Sequence, residues 1–128
     1  GAKLIGNGII NFAKAFEKIK PDINIILGDR PEIFASAIAA YNMNIPNVHI
    51  HGGDVSGNID EYTRHAITKI SNIHFTATKK STLRVKKMGE DPKDNLVENA
   101  IVCLEEKGLL YGERKKYLNL ALPHNSNL

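Results

Sequence analysis

The sequence predicts an α/β fold with a Rossmann-like parallel sheet flanked by helices, and two observations carry that prediction. Short β-branched runs alternate with amphipathic stretches of roughly 10–15 residues, the pattern of βαβ units joined by right-handed crossovers. Each strand-like run also stops at glycine or polar residues and is followed by a helix-starting segment. In the first element, Ile5 to Ile19, Ile9, Ile10, Phe12, Ala13 and Phe16 fall at helical spacing, with Lys14, Glu17, Lys18 and Lys20 on the other side. Pro21 ends that helix because it has no N–H to donate, and Asp22 opens the connection. Ile23 to Leu27 is the first strand, stopped by Gly28-Asp29. Pro31 suits the first turn of a helix, and Ile33, Phe34, Ala37, Ile38 and Tyr41 give that helix its apolar stripe. A second strand over Val48–His51 leads into a loop from Gly52 to Asn58, and a third helix spans about Asp60 to Ile70. The third strand is Ile73–Ala77, and a helix over Lys79–Met88 is closed by Gly89. Leu96 to Lys107 reads as helical with Gly108 as its cap, Leu109 to Leu122 as a further helix, and Pro123 to Asn127 as a frayed end. The alternation divides the chain into an α/β unit over 1–92 and a helical tail over 93–128.

A chain of 128 residues, 42% apolar and 24% charged, has the size and balance of one ordinary globular domain. Charged or polar residues interrupt every apolar stretch before the roughly 20 residues of a membrane helix, so no membrane partner is expected. The net charge of +3 is modest, and Lys79-Lys80, Lys86-Lys87 and Arg114-Lys115-Lys116 lie on helices without interleaved aromatics. These are solvated faces rather than a nucleic-acid interface. A single cysteine, Cys103, excludes an intrachain disulfide, suits a reducing, cytoplasmic compartment, and reads as a buried inert thiol. The start, Gly1-Ala2-Lys3-Leu4, has no initiator Met and no signal-peptide core, and reads as an internal cut.

In an open parallel sheet ligands bind beyond the carboxyl ends of the strands. That rule selects Gly28-Asp29-Arg30, then His51 through Asp60, then Thr76 to Thr78. Each candidate also has a structural reading. Asp60 can be an N-cap. Gly52-Gly53 can be a turn or a place where backbone approaches a ligand. Asp29 and Arg30 can form an ion pair, and Glu61 and Arg64, three apart, a surface pair. His49 reads as a core histidine, and strand alternation puts it on the opposite face from His51. Joint placement at adjacent strand ends favours function, because stability alone does not require it. His49, His51 and Asp54 have some metal-ligand character, but there is no cysteine pair or His-Glu-x-x-His, so no metal is expected. Gly6-Asn7-Gly8 does not follow a strand, so a nicotinamide fingerprint is weakly supported.

Gly28-Asp29-Arg30, then His49 to Glu61, then Arg64-His65-Ala66-Ile67-Thr68-Lys69 resemble the hydrolysing UDP-N-acetylglucosamine 2-epimerases of the sialic and legionaminic acid pathways, over about Leu4 to Pro92. The resemblance implies a two-domain enzyme like the glycosyltransferase-B fold, with a UDP-sugar in the cleft and no cofactor. It implies removal of the C2 proton, elimination of UDP to a glycal, and addition of water to give the 2-epimer. By correspondence, Asp29 and Asp60 are catalytic, and Arg30, Gly53, Glu61 and Arg64 contact sugar or phosphate. Many members have Glu where His51 stands. Some relatives have His there with an acid three residues on, as Asp54 is here, so His51 or Asp54 takes the Glu's role.

Family members are roughly three times as long, so the resemblance implies half a cleft, with the uridine pocket elsewhere. The exact sugar, N-acetylated or diacetamido, is left open. A non-catalytic α/β binding or assembly module from the same domain is the alternative. The family also implies a homo-oligomer, and apolar surface that a partner domain would cover makes the helix Ile33–Tyr41 and the stretch Leu109–Leu122 the candidate contact surfaces.

Overall fold

Strand and helix ends follow the local chemistry of the chain. The computed structural model describes residues 1–90 together with 96 and 97. The described elements run α1 (Ala2–Ile19), β1 (Asn24–Leu27), α2 (Pro31–Asn42), β2 (Asn47–Ile50), α3 (Asp60–Lys69), β3 (Ile73–Phe75), α4 (Lys79–Lys87) and β4 (Leu96–Val97). The strands form one sheet in the order β1-β2-β3-β4, and every neighbouring pair is parallel. This is the α/β architecture expected from the alternation.

Lys20 ends α1 in a left-handed conformation (φ 52°), its N–H returning to the Phe16 carbonyl at 2.8 Å just before Pro21. Pro31 occupies the first turn of α2. The two helices pack closely where Gly8 faces Ala35, since a Cβ on Gly8 would lie 2.9 Å from that of Ala35. α1 therefore covers the Ala35 side of α2. Ile33 and Phe34 pack inward against Ile26, Ala37 and Ile67, leaving Tyr41 as the exposed large apolar residue of α2. The surface offered by the Ile33–Tyr41 helix is smaller than the sequence suggested. Among the sheet residues whose burial is described, the exposed large apolar ones are Ile25 and Leu27 on β1.

Register places Ile26 beside His49, and His49 beside His74, so these side chains form one row on the face that carries α2 and α3. At the amino ends of the strands, Asn47 is fully buried and joins several elements. Its Nδ2 donates to the carbonyls of Ala37 (3.0 Å) and Ile70 (3.1 Å), while its Oδ1 accepts from Asn24 at 2.9 Å.

Two expectations need correction. β2 ends at Ile50, and His51 follows in a left-handed conformation (φ 69°), so strand alternation does not reach it. Leu96-Val97, read as a helix start, is a short strand pairing His74↔Leu96 and Phe75↔Val97. Pairing with the edge of β3 satisfies backbone groups that local helical preference would leave open. The rest of that stretch, Cys103, Gly108 and Leu109–Leu122 lie outside the described residues.

Candidate functional site

The carboxyl ends of β1 and β2 and the amino ends of α3 and α4 converge on a set of polar side chains. After β1, Gly28 takes φ 84°, a left-handed turn suited to glycine, and delivers Asp29. After β2, His51, Gly52 and Gly53 turn the chain back, with φ 69° at His51 and 79° at Gly53. A Cβ on Gly53 would collide with the Ser81 backbone carbonyl and approach Val85 Cγ2 at 2.8 Å. Glycine at 53 is thus required by packing on α4. Its carbonyl accepts from Arg84.

Arg64 organises the centre. It is 9% exposed and its guanidinium spans two strand ends, with Nη2 donating to Asp29 Oδ2 and Nη1 to the Asp54 carbonyl at 2.5 Å. Sequence spacing suggested Glu61 as its partner, but the half-buried Asp29 takes that place. Glu61 instead accepts the Gly57 N–H at 3.1 Å, which is the main reason its carboxyl is held below its ordinary range; His65 lies at 3.6 Å. Arg30 likewise does not pair with Asp29. Its guanidinium meets Glu32 at 2.7 Å, and its side chain is largely exposed.

Nδ1 of His51 lies 2.9 Å from Asp54 Oδ2, and Ser81 Oγ donates to Asp54 Oδ1 at 2.5 Å. An ionised carboxylate only accepts, so in the neutral imidazole of His51 the proton sits on Nδ1 and Nε2 carries the lone pair. His49 has the opposite tautomer. Its Nε2 lies 3.0 Å from the Gly28 carbonyl, which can only accept, and its Nδ1 lies 3.2 Å from Thr68 Oγ1. His49 is a satisfied core histidine, as its place in the strand suggested, and burial pushes its pKa down to about 4.

Asp60 is exposed and opens α3, with Ile59 rather than Asp60 at the N-cap and no capping side-chain bond. The capping alternative for Asp60 therefore falls away. One helical turn separates Asp60 from Arg64, which puts it on the same face and at the same end of the sheet as Asp29. The structure brings together Asp29, Arg64, Asp54 and His51, with Gly53 beneath them, and sets Asp60 at the rim. Sequence reading missed Ser81 and Arg84. The Thr78-x-x-Ser81 spacing, in which Thr78 Oγ1 accepts the Ser81 N–H at 3.1 Å, was the available signal that this helix end sits in the site.

A sequence profile described as UDP-N-acetylglucosamine 2-epimerase matches residues 1–98. The chain is 52% identical over 89 residues to a UDP-N,N'-diacetylbacillosamine 2-epimerase (hydrolyzing) of Legionella pneumophila, covering 70% of this chain and 24% of that protein. It is 42% identical over 83 residues to a GDP/UDP-N,N'-diacetylbacillosamine 2-epimerase (hydrolyzing) of Campylobacter jejuni, covering 64% of this chain and 22% of that one. Among solved structures, the UDP-GlcNAc 2-epimerase of Neisseria meningitidis bound to UDP-GlcNAc has the same fold, with a TM-score of 0.69 at 24% identity over 96% of this chain and 36% of its own. The chain spans about a quarter of the length of these curated relatives. With the profile matched over most of its length, the chain belongs to the UDP-N-acetylglucosamine 2-epimerase family.

Proposed function

We propose that this chain forms one wall of the active site of a hydrolysing nucleotide-sugar 2-epimerase, which converts UDP-N-acetylglucosamine or a diacetamido analogue and water to UDP and the free 2-epimeric sugar. The observation that carries the reading is that Arg64 joins Asp29 to the loop holding the His51–Asp54 pair, so that two proton-transfer groups share one strand-end site. The proposed reaction breaks C2–H and C1–O bonds, forms a C1–C2 double bond as UDP departs, and then adds OH to C1 and a proton to the opposite face of C2. Groups on two sides of the sugar ring are needed to remove and return that proton. Asp29 and Asp60 are the carboxylates for this exchange, and His51 takes the place of the family's Glu. Asp54 fixes the His51 tautomer rather than moving the substrate proton itself. In this reading Arg30, Gly53 and Glu61 are the sugar- or phosphate-contacting positions that the family resemblance implies, and Arg64 holds Asp29 in place. The reading extends to a cytoplasmic homo-oligomer acting in sialic-type sugar synthesis, with the uridine pocket supplied by a second domain.

The test belongs in a full-length parent, because binding energy from the UDP moiety positions the sugar and this chain alone is expected to turn over little. Asp29→Asn and Asp60→Asn are each expected to lower the rate roughly 10²–10⁴-fold, with small effects on UDP binding. His51→Ala should act alike, measured as deuterium incorporation at C2 alongside UDP release. Near-normal rates in both aspartate variants would remove the mechanism.

A further inference from the structure

Besides Arg64 of α3, the loop that carries His51 and Asp54 is held by α4. Thr78 caps α4, and its Oγ1 lies 2.9 Å from Ser81 Oγ, whose hydroxyl in turn donates to Asp54 Oδ1 at 2.5 Å. Each hydroxyl has one proton and the carboxylate has none. The direction is therefore fixed: Thr78 O–H donates to Ser81, Ser81 O–H to Asp54, and His51 Nδ1–H reaches the same carboxylate from the other side. Hydrogen bonds that run in one direction toward a charge polarise and strengthen one another. One turn further along the same face, Arg84 donates to the Gly53 carbonyl, and Gly53 rests on the Ser81 backbone. Ser81 is 3% exposed and bonds the carboxylate oxygen that the imidazole does not.

We propose that Ser81 is a positioning residue for proton transfer: by fixing the Asp54 carboxylate it keeps His51 in the Nδ1–H tautomer, with the Nε2 lone pair free for substrate. The proposal rests on the reading of His51 as the proton-transfer group oriented by Asp54. Without the serine hydroxyl, Asp54 loses one of its two anchors and turns toward water. His51 then relaxes toward the tautomer mixture of a solvent-exposed imidazole.

The test uses the 128-residue chain labelled with ¹⁵N at histidine, with tautomers read from ring-nitrogen shifts at a pH where the imidazoles are neutral. In the wild-type chain His51 is expected as Nδ1–H and His49 as Nε2–H. Ser81→Ala should abolish the Nδ1–H predominance at His51 and leave His49 unchanged, which also reports an intact fold. If that variant unfolds, as an altered His49 signal would show, Ser81→Cys carries the same test with a weaker donor of similar size. A wild-type His51 without the Nδ1–H predominance overturns the Asp54–His51 reading itself. A wild-type predominance that survives in the serine variants leaves that reading standing and overturns the role of Ser81.

Discussion

At His49, burial opposes protonation. Removal from water is the largest influence on its pKa; the Gly28 carbonyl pulls the other way, His74 and Arg64 add to the depression, and Asp29 opposes it, leaving a pKa of about 4 against an ordinary 6.5. Between those values the unfolded chain binds a proton that the folded chain refuses. Stability is therefore full above about pH 6.5 and falls as the pH drops to about 4. The expected loss over this window is about 3 kcal/mol. Burial also lowers the pKa of His74, whose Nε2 lies 3.4 Å from Glu90, so it contributes in the same direction. Urea unfolding across the window checks this, and His49→Gln should flatten the profile; an unchanged slope in that variant would assign the acid sensitivity elsewhere. At this scale the sequence was partly legible. His49 read as core because it lies inside an apolar strand. The Arg64 partner did not, since a contact spanning 35 positions leaves no local signal. His51 was misplaced because alternation was carried one residue past the point where the backbone turns left-handed.

Among elements, the helices and strands were legible wherever punctuation marks their ends: Pro21 after α1, Pro31 at the start of α2, Gly28 after β1 and Gly89 after α4. β4 was not, because two residues have no period and their pairing with β3 is decided by a distant edge. The asparagine junction was also silent in the sequence. Asn47 links the start of β2 to α2, to the end of α3 and to Asn24 of β1. Asn47→Ala removes these three bonds together, each contributing about 0.5–1.5 kcal/mol net. A total loss of about 3 kcal/mol in urea unfolding is expected, whereas a loss under about 1 kcal/mol would mean that water replaces the amide.

At the scale of the whole molecule, the described sheet carries its exposed large apolar side chains on β1. Ile25 and Leu27 are 50% and 56% exposed, and β1 ends the described sheet with one edge facing outward. Such an edge, with apolar side chains beside it, is a template for pairing with another chain. Isolated in solution, this chain is expected to associate with itself as concentration rises, and Leu27→Lys should shift that association to higher concentration. Sedimentation showing one monomeric species for both proteins over the whole range would remove the expectation.

The left-handed backbone at His51 has a consequence for selection. Such conformations cost a non-glycine residue about 1–3 kcal/mol at functional sites, and glycine enters them without that penalty. The half-exposed contact with Asp54 returns little of it. Under selection for heat resistance alone, position 51 would therefore drift toward glycine and lose its imidazole. A library sorted first for thermal survival and then for turnover should show these two pressures pulling that codon in opposite directions.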